Sequence, residues 1–142
     1  MISVVKNKRL LLGAFLMALL GFYFASSERV SSNTPEALYR AKISGEMIEF
    51  DGVVSTILKD DEIGSRHQRI ILKRQKLTLL LAHNIDLADR IPVEIGDKLT
   101  IYGQYEWNEK GGVVHWTHED PAHQHPAGWI KHKGIQYGAL KE

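Results

Sequence analysis

The chain contains no cysteine. Disulfides, thiolate metal sites and a lipid-modified cysteine are therefore excluded, so a folded domain must stand on its apolar core and any metal must bind through nitrogen and oxygen. No Walker loop, dinucleotide fingerprint, cysteine nucleophile or Ser-His-Asp signature is present, and any catalysis would have to be metal-assisted, through water acidified by a bound ion. A strong charge of either sign is also missing, the formal net charge being +1 at pH 7. Residues 1–27 hold three basic and no acidic residues, and the remainder, with 15 basic and 17 acidic residues, carries −2. A near-neutral domain lacks the electrostatic footprint of a non-specific nucleic-acid binder. No internal repeat or low-complexity tract occurs, and 142 residues allow one hydrophobic core.

The one long apolar run lies at the N-terminus. Lys6, Lys8 and Arg9 precede an uncharged stretch from Leu10 to Ala25, followed by Ser26 and Ser27. This is the layout of a signal peptide or membrane anchor over residues 1–27. The basic residues keep that end in the cytoplasm and send the rest outward. The expected location is the periplasm or cell exterior, with the membrane as a partner through residues 10–27 if the segment is retained. Residues 28–45 read as a linker and a short helix, with Thr34 as N-cap, Pro35 at the first helical position, and a stop before Gly45.

From residue 46 the texture becomes β. Phe50–Leu58, His67–Lys73, Leu77–His83, Lys98–Trp107 and Val113–Thr117 read as strands, with Gly52 suited to a bend and Asn108–Gly112 to a hairpin turn. Five strands with a longer connection between the third and fourth predict a mainly β fold, a small five-stranded Greek-key (OB-like) barrel over residues 46–142 with a His-rich C-terminal loop. The pattern Gly96-Asp97-x-Leu99-x-Ile101-x-Gly103 resembles the fourth strand of such barrels. Past residue 117 the chain reads as loop, with Pro126 and Trp129 as its anchors on the barrel mouth.

Five of the seven histidines, His115, His118, His123, His125 and His132, fall within eighteen residues. Imidazole is the commonest transition-metal ligand. A three-residue connection at 74–76 would set His67 opposite His83, with side chains on one face. In the barrel topology the third and fifth strands are parallel, so His67, His83, His115 and His118 with Asp120 would share one rim. Alternation would give His115 and Thr117 one face and Trp116 the other. The expectation is a metal site drawn from His67, His83, His115, His118, Asp120 and His125, filled by a divalent transition metal with zinc the first choice. The alternative is a hydrogen-bond network pinning the C-terminal loop. Arg66 and Arg69 are candidates to hold an anionic group, small or polymeric, with Asp86 beside them. His123 and His132 read as solvated loop residues.

Four blocks carry a resemblance: Asp61…Gly64-Ser-Arg-His67-Gln-Arg69; Ala82-His83-Asn-Ile-Asp86-Leu-Ala88; Tyr102-Gly-Gln-Tyr-Glu-Trp-Asn-Glu-Lys-Gly-Gly112; and His115-Trp-Thr-His118-Glu-Asp120-Pro121…His125…Gly128-Trp-Ile-Lys-His132. Over residues 46–137 they resemble a family of small exported bacterial proteins carried as a domain of unknown function. The resemblance implies no established activity. It does imply that His67, His83, Asp86, His115, His118, Asp120 and His125 belong to a recurring pattern. Members of that family often have a longer connection between the second and third strands than this chain does.

Overall fold

The computed structural model describes residues 33–142, so the signal or anchor expected over residues 1–27 lies outside the described residues. A short helix, α1 (Pro35–Ala41), comes first, and the Thr34 hydroxyl caps it by accepting from Ala37 N at 3.2 Å. It stops earlier than Gly45 requires, because Lys42 takes a left-handed conformation (φ 55°) and its N–H returns to the helix carbonyls.

Seven strands follow: β1 (Glu46–Ile57), β2 (His67–Arg74), β3 (Leu77–Asn84), β4 (Lys98–Glu106), β5 (Val113–His115), β6 (Trp129–His132) and β7 (Ile135–Tyr137). The first five close into a barrel in the order β1-β2-β3-β5-β4, with β1 pairing β4 to complete the ring. All pairings are antiparallel except β3–β5, which is parallel over Leu80–Leu81 and Val113–Val114. β1 serves both neighbours by changing partner along its length: residues 46–53 pair with β4, and residues 53–57 with β2. Gly52 lies at the changeover, and the ladder slips at a bulge between Val54 and Thr56.

The chain beyond residue 117 is largely loop, as expected, but it also forms two short strands that the sequence reading did not place. Trp129, expected as a loop anchor, opens β6, which pairs with the first half of β4 (Tyr102 opposite Trp129) and turns through Lys133-Gly134 into β7. Both turn residues have positive φ, 48° and 82°, as a two-residue hairpin of this hand requires. The hairpin was hidden because four- and three-residue strands leave too short an alternation to read. His132 is likewise not solvated: it is 3 % exposed, and its Nε2–H donates to Asp97 Oδ2 at 2.8 Å.

The core is made by alternate residues of the strands. Ile48, Phe50 and Val54 from β1, Ile70 and Leu72 from β2, Leu79 and Leu81 from β3, Leu99, Ile101 and Tyr105 from β4, and Ile130 from β6 all point inward and are buried. The Tyr105 hydroxyl donates to Gly111 O at 3.0 Å, so the largest core ring also ties down the β4–β5 turn. A Cβ on Gly112 would lie 2.4 Å from that ring, and its φ is +98°. Only glycine fits there.

Leu81 is fully buried at the centre of β3. Leu81→Ala is expected to cost about 2–5 kcal/mol, the sum of lost transfer energy and an unfilled cavity, read as a lower urea midpoint at unchanged slope.

Candidate functional site

The β2–β3 hairpin decides which histidines can meet. Its turn has two residues, Gln75 and Lys76, with Gln75 at φ 51°, so Arg74 pairs with Leu77 and the register sets His67 opposite Asn84. The expected opposition of His67 and His83 is thus overturned by one position. Because side chains alternate, one position reverses the face: His83 pairs with Gln68 inside the barrel, and His67 lies outside.

Inside, His83 is completely buried. Its Nε2 lies 3.0 Å from the carbonyl of Asp89 and must be the protonated nitrogen, since a carbonyl only accepts. Its Nδ1 therefore accepts from the Thr117 hydroxyl at 2.8 Å. Beside it, the Gln68 amide grips the backbone of Ile91 through two bonds, Nε2 to Ile91 O at 2.8 Å and Ile91 N to Oε1 at 2.9 Å. Together the two side chains fasten the β3–β4 connection across the barrel end. Burial depresses His83 to about 4, with the Asp89 carbonyl opposing, and the ring is neutral at pH 7.

Strand alternation fails after His115. Trp116 adopts φ 52°, which ends β5 two residues earlier than expected and breaks the alternation: Thr117 turns inward to His83 while His115 and Trp116 both line the outer surface. The pairing of His115 and Thr117 on one face is corrected accordingly. The segment can pass this close to β4 only because Gly103 and Gly128 lack side chains. A Cβ on Gly103 would sit 2.6 Å from His115 O, and one on Gly128 1.9 Å from Trp116 O.

On the outer surface three hollows run in sequence. One of about 390 Å³ is lined by Ser65, His67, Ala82, Asn84, Leu87, His115, Trp116, His118, Asp120 and Pro121. The next, about 370 Å³, shares His67, Ala82 and His115 with it and adds Asp61, Arg69, Leu80, Glu106 and Val113. The third, about 270 Å³, shares Arg69 and Leu80 and reaches Asn108 and Lys110 of the β4–β5 turn. They form a groove across the exterior of β2, β3 and β5.

The structure therefore brings His67, His115, His118 and Asp120 to one hollow and Arg69 to the adjoining one. It does not bring His83, which is inside, or His125. The His125 ring stacks on Trp116 (centroids 4.1 Å apart, planes 11° apart), its Nδ1 faces Pro126 O at 2.8 Å, and its Nε2 meets the Gln104 amide oxygen. Arg66 and Asp86 satisfy one another: the guanidinium Nε and the backbone N of Arg66 both donate to the carboxylate at 2.7 Å, and Asp86 lies below the usual carboxylate range for that reason. Asp120 accepts three backbone N–H bonds, from Ala122, Gln124 and His125 at 2.8–3.0 Å, which organise the loop and hold its carboxyl low.

Three histidines keep ring nitrogens toward the groove. His118 donates Nδ1–H to Glu119 O at 2.7 Å, which leaves Nε2 as its free, basic nitrogen. His115 Nε2 is buried without a hydrogen-bond partner, 3.5 Å from Glu106 Oε1. Burial pushes that ring below the ordinary imidazole value, against the pull of Glu106. The His67 ring makes no hydrogen bond among the described residues. Among those residues, no group of three or more His, Asp or Glu side chains is arranged to hold a metal ion.

Sequence reasoning missed Glu106, Asn108 and Lys110 as groove residues. The signal was the β4–β5 hairpin, whose six-residue connection pairs Gln104 with His115 and Glu106 with Val113.

The fold and the groove define the class: a mainly β protein built on a closed five-stranded barrel, with an outer-face groove rich in histidine. The chain belongs to the family described as Protein of unknown function (DUF3465), whose model matches residues 16–138. No curated protein and no solved structure matches it.

Because His83 is depressed in the folded state relative to about 6.5, its contribution is whole above pH 6.5 and is lost as pH falls through 4. Urea midpoints should fall across that window, by about 1.4 kcal/mol per pH unit for a single buried ring at most. His83→Gln should be less stable at pH 7 but with a flatter pH dependence. Asp120→Ala should leave the barrel folded while amide exchange in residues 121–126 accelerates, since three loop N–H groups lose their acceptor.

Proposed function

We propose that this chain is an exported, OB-like binding module that holds an anionic ligand in the groove over β2, β3 and β5. The N-terminal basic and apolar segment supports export, as signal or anchor, to the periplasm or cell surface. The strand order, the parallel β3–β5 pair and the position of the groove support the barrel type: in OB-like barrels the exposed face of strands 2 and 3, flanked by the β1–β2 and β4–β5 loops, carries the ligand.

The observation that carries the reading is an imbalance of commitment. The acids in and beside the groove accept hydrogen bonds from the protein itself, Asp120 from backbone N–H groups, Glu106 from Gln104, Asp61 from Ile63 N and the neighbouring Asp86 from Arg66, although only Asp86 is neutralised by its partner. The bases are free. Arg69 and Lys110 have no carboxylate within ion-pair distance among the described residues, and His67, His115 and His118 keep the nitrogens described above. A lining whose donors and bases lack partners is complementary to a ligand rich in acceptors.

One observation favours a second reading. A ring whose Nδ1–H is held by a carbonyl presents Nε2 as metal-ligating histidines do, and His118 has that arrangement. Zinc on His118 with His67 or His115 would fit the chemistry of the donors.

Calorimetric titration of the full, untagged chain separates the two. Inorganic phosphate is expected to bind, and Arg69→Ala to weaken it by roughly tenfold or more, the scale of one charge-assisted hydrogen bond. Arg66→Ala should change little, because Arg66 is already paired. Stoichiometric zinc binding abolished by His118→Ala, with no phosphate binding, would replace the first reading by the second.

A further inference from the structure

We infer that the groove's ligand is an elongated zwitterion, with an anionic group at one end, an ammonium at the other and an aliphatic spacer between them. The inference rests on the anion-binding reading above and deepens it, by giving the ligand a positive group as well.

Charge along the groove is sorted by position. The end hollow beside the β4–β5 turn has Arg69 and Lys110 in its lining and no acid. The middle hollow has Asp61 and Glu106, no lysine, and only the Arg69 that it shares with the end hollow. The rim hollow beyond has neither lysine nor arginine, and its Asp120 is tied to three loop N–H groups. Guanidinium and ammonium thus stand at one end and open carboxylates next to them. The lining is a dipole.

The carboxylates of the middle hollow hold charge that the protein does not cancel. Burial raises Glu106, but bonds from the side chains of Gln104, His115 and Ser44 outweigh it and keep the carboxyl below its usual range. Gln104 is a neutral amide, and the His115 ring, 3.5 Å away, is pushed down by burial and is neutral at pH 7. Asp61 accepts from Ile63 N at 3.0 Å, within its own turn. Neither acid has a lysine or arginine within ion-pair distance among the described residues. A second anionic group in this hollow would meet two like charges, whereas an ammonium would meet two partners.

What joins the two hollows is apolar. Leu80 lines both, with Leu58 and Ile71 in the end hollow and Ala82 and Val113 in the middle one, all half-buried. Along β3 the end hollow takes in Thr78 to Leu80 and the middle hollow Leu80 to Ala82. Their centres therefore lie two strand residues apart, about 7 Å. A short aliphatic spacer covers that distance over Leu80, whose side chain asks for no hydrogen bond. Glycine, with its charges adjacent, occupies one hollow only. An amino acid of the length of 6-aminohexanoate occupies both, its carboxylate between Arg69 and Lys110 and its ammonium between Asp61 and Glu106.

Titration of the full, untagged chain at pH 7 with 6-aminohexanoate, hexanoate, hexylamine, glycine and inorganic phosphate tests this. The expected result is that 6-aminohexanoate binds at least about tenfold tighter than hexanoate, the scale of one added charge-assisted contact. Hexylamine and glycine, each making half of the contacts, should bind more weakly than 6-aminohexanoate. Glu106→Gln should remove the advantage of the amino acid and at the same time tighten hexanoate, since a carboxylate that repels the anion is gone. Opposite signs for two ligands distinguish this outcome from a loss of fold. Equal affinities for 6-aminohexanoate and hexanoate, with phosphate still bound, overturn the inference and leave the anion-binding reading standing. An advantage untouched by Glu106→Gln overturns it too. Binding of hexylamine without hexanoate or phosphate, or no binding of any probe, overturns the anion-binding reading and this inference with it.

Discussion

The hydrogen bonds made by the buried ring of His83 hold the working half of this barrel together. Its Nε2–H reaches Asp89 in the β3–β4 connection, and its Nδ1 takes the Thr117 hydroxyl from the segment that follows β5. One neutral imidazole thus ties two chain segments to β3 at the barrel end. The ring is neutral because it is buried, and burial is tolerable because both nitrogens are satisfied. Drawing Thr117 inward obliges the chain to reverse face at Trp116, and that reversal leaves His115, Trp116 and His118 on the groove. The inner network therefore builds the outer site.

The same economy separates structural from available groups. Histidines and acids lie close together here, but most have their polar atoms used. Asp120 shapes a loop, His125 covers Trp116, His132 holds Asp97, and Arg66 holds Asp86. Asp97 is drawn down to about 2, first by Glu94 N and then by the His132 and Lys133 side chains, as a carboxylate buttressing the β3–β4 connection against β6 would be. Arg69, Lys110 and the rings of His67 and His118 are left over, in a lining they share with Asp61 and Glu106. The structural-network reading thus describes His83, His125 and His132, and the proposed ligand site is left to His67, His115 and His118.

Much of the fold was legible. Alternation of β-branched and aliphatic residues with turn residues between them marks five strands, and the spacing of those strands implies the parallel neighbouring of the third and fifth that the barrel has. The failures share a cause. The β2–β3 register depended on whether Arg74 or Gln75 opens the turn, and a glycine-free turn with Gln75 at positive φ gives no sign of its length. The reversal at Trp116 was invisible for the same reason, since tryptophan rarely adopts that conformation without tertiary contacts to impose it. β6 is placed by pairing with β4 and β7 by pairing with β6, and although Trp129, Ile130, Ile135 and Tyr137 suit strands, runs of four and three residues are too short to read.

Composition and order alone thus determined the chemistry available: no thiol, a near-neutral domain, an N-terminal apolar segment, and a dense supply of imidazole beside two β-strands. These are properties of residues, or of periodicities local enough to survive without neighbours. Which imidazole faces water and which faces the core was decided only by the folded chain. A strand's faces exchange with a shift of a single residue, and that shift is set by a turn conformation and by pairings between segments far apart in the chain. His67 and His83 carry the same side chain and are both at strand ends, yet one became groove and the other became frame.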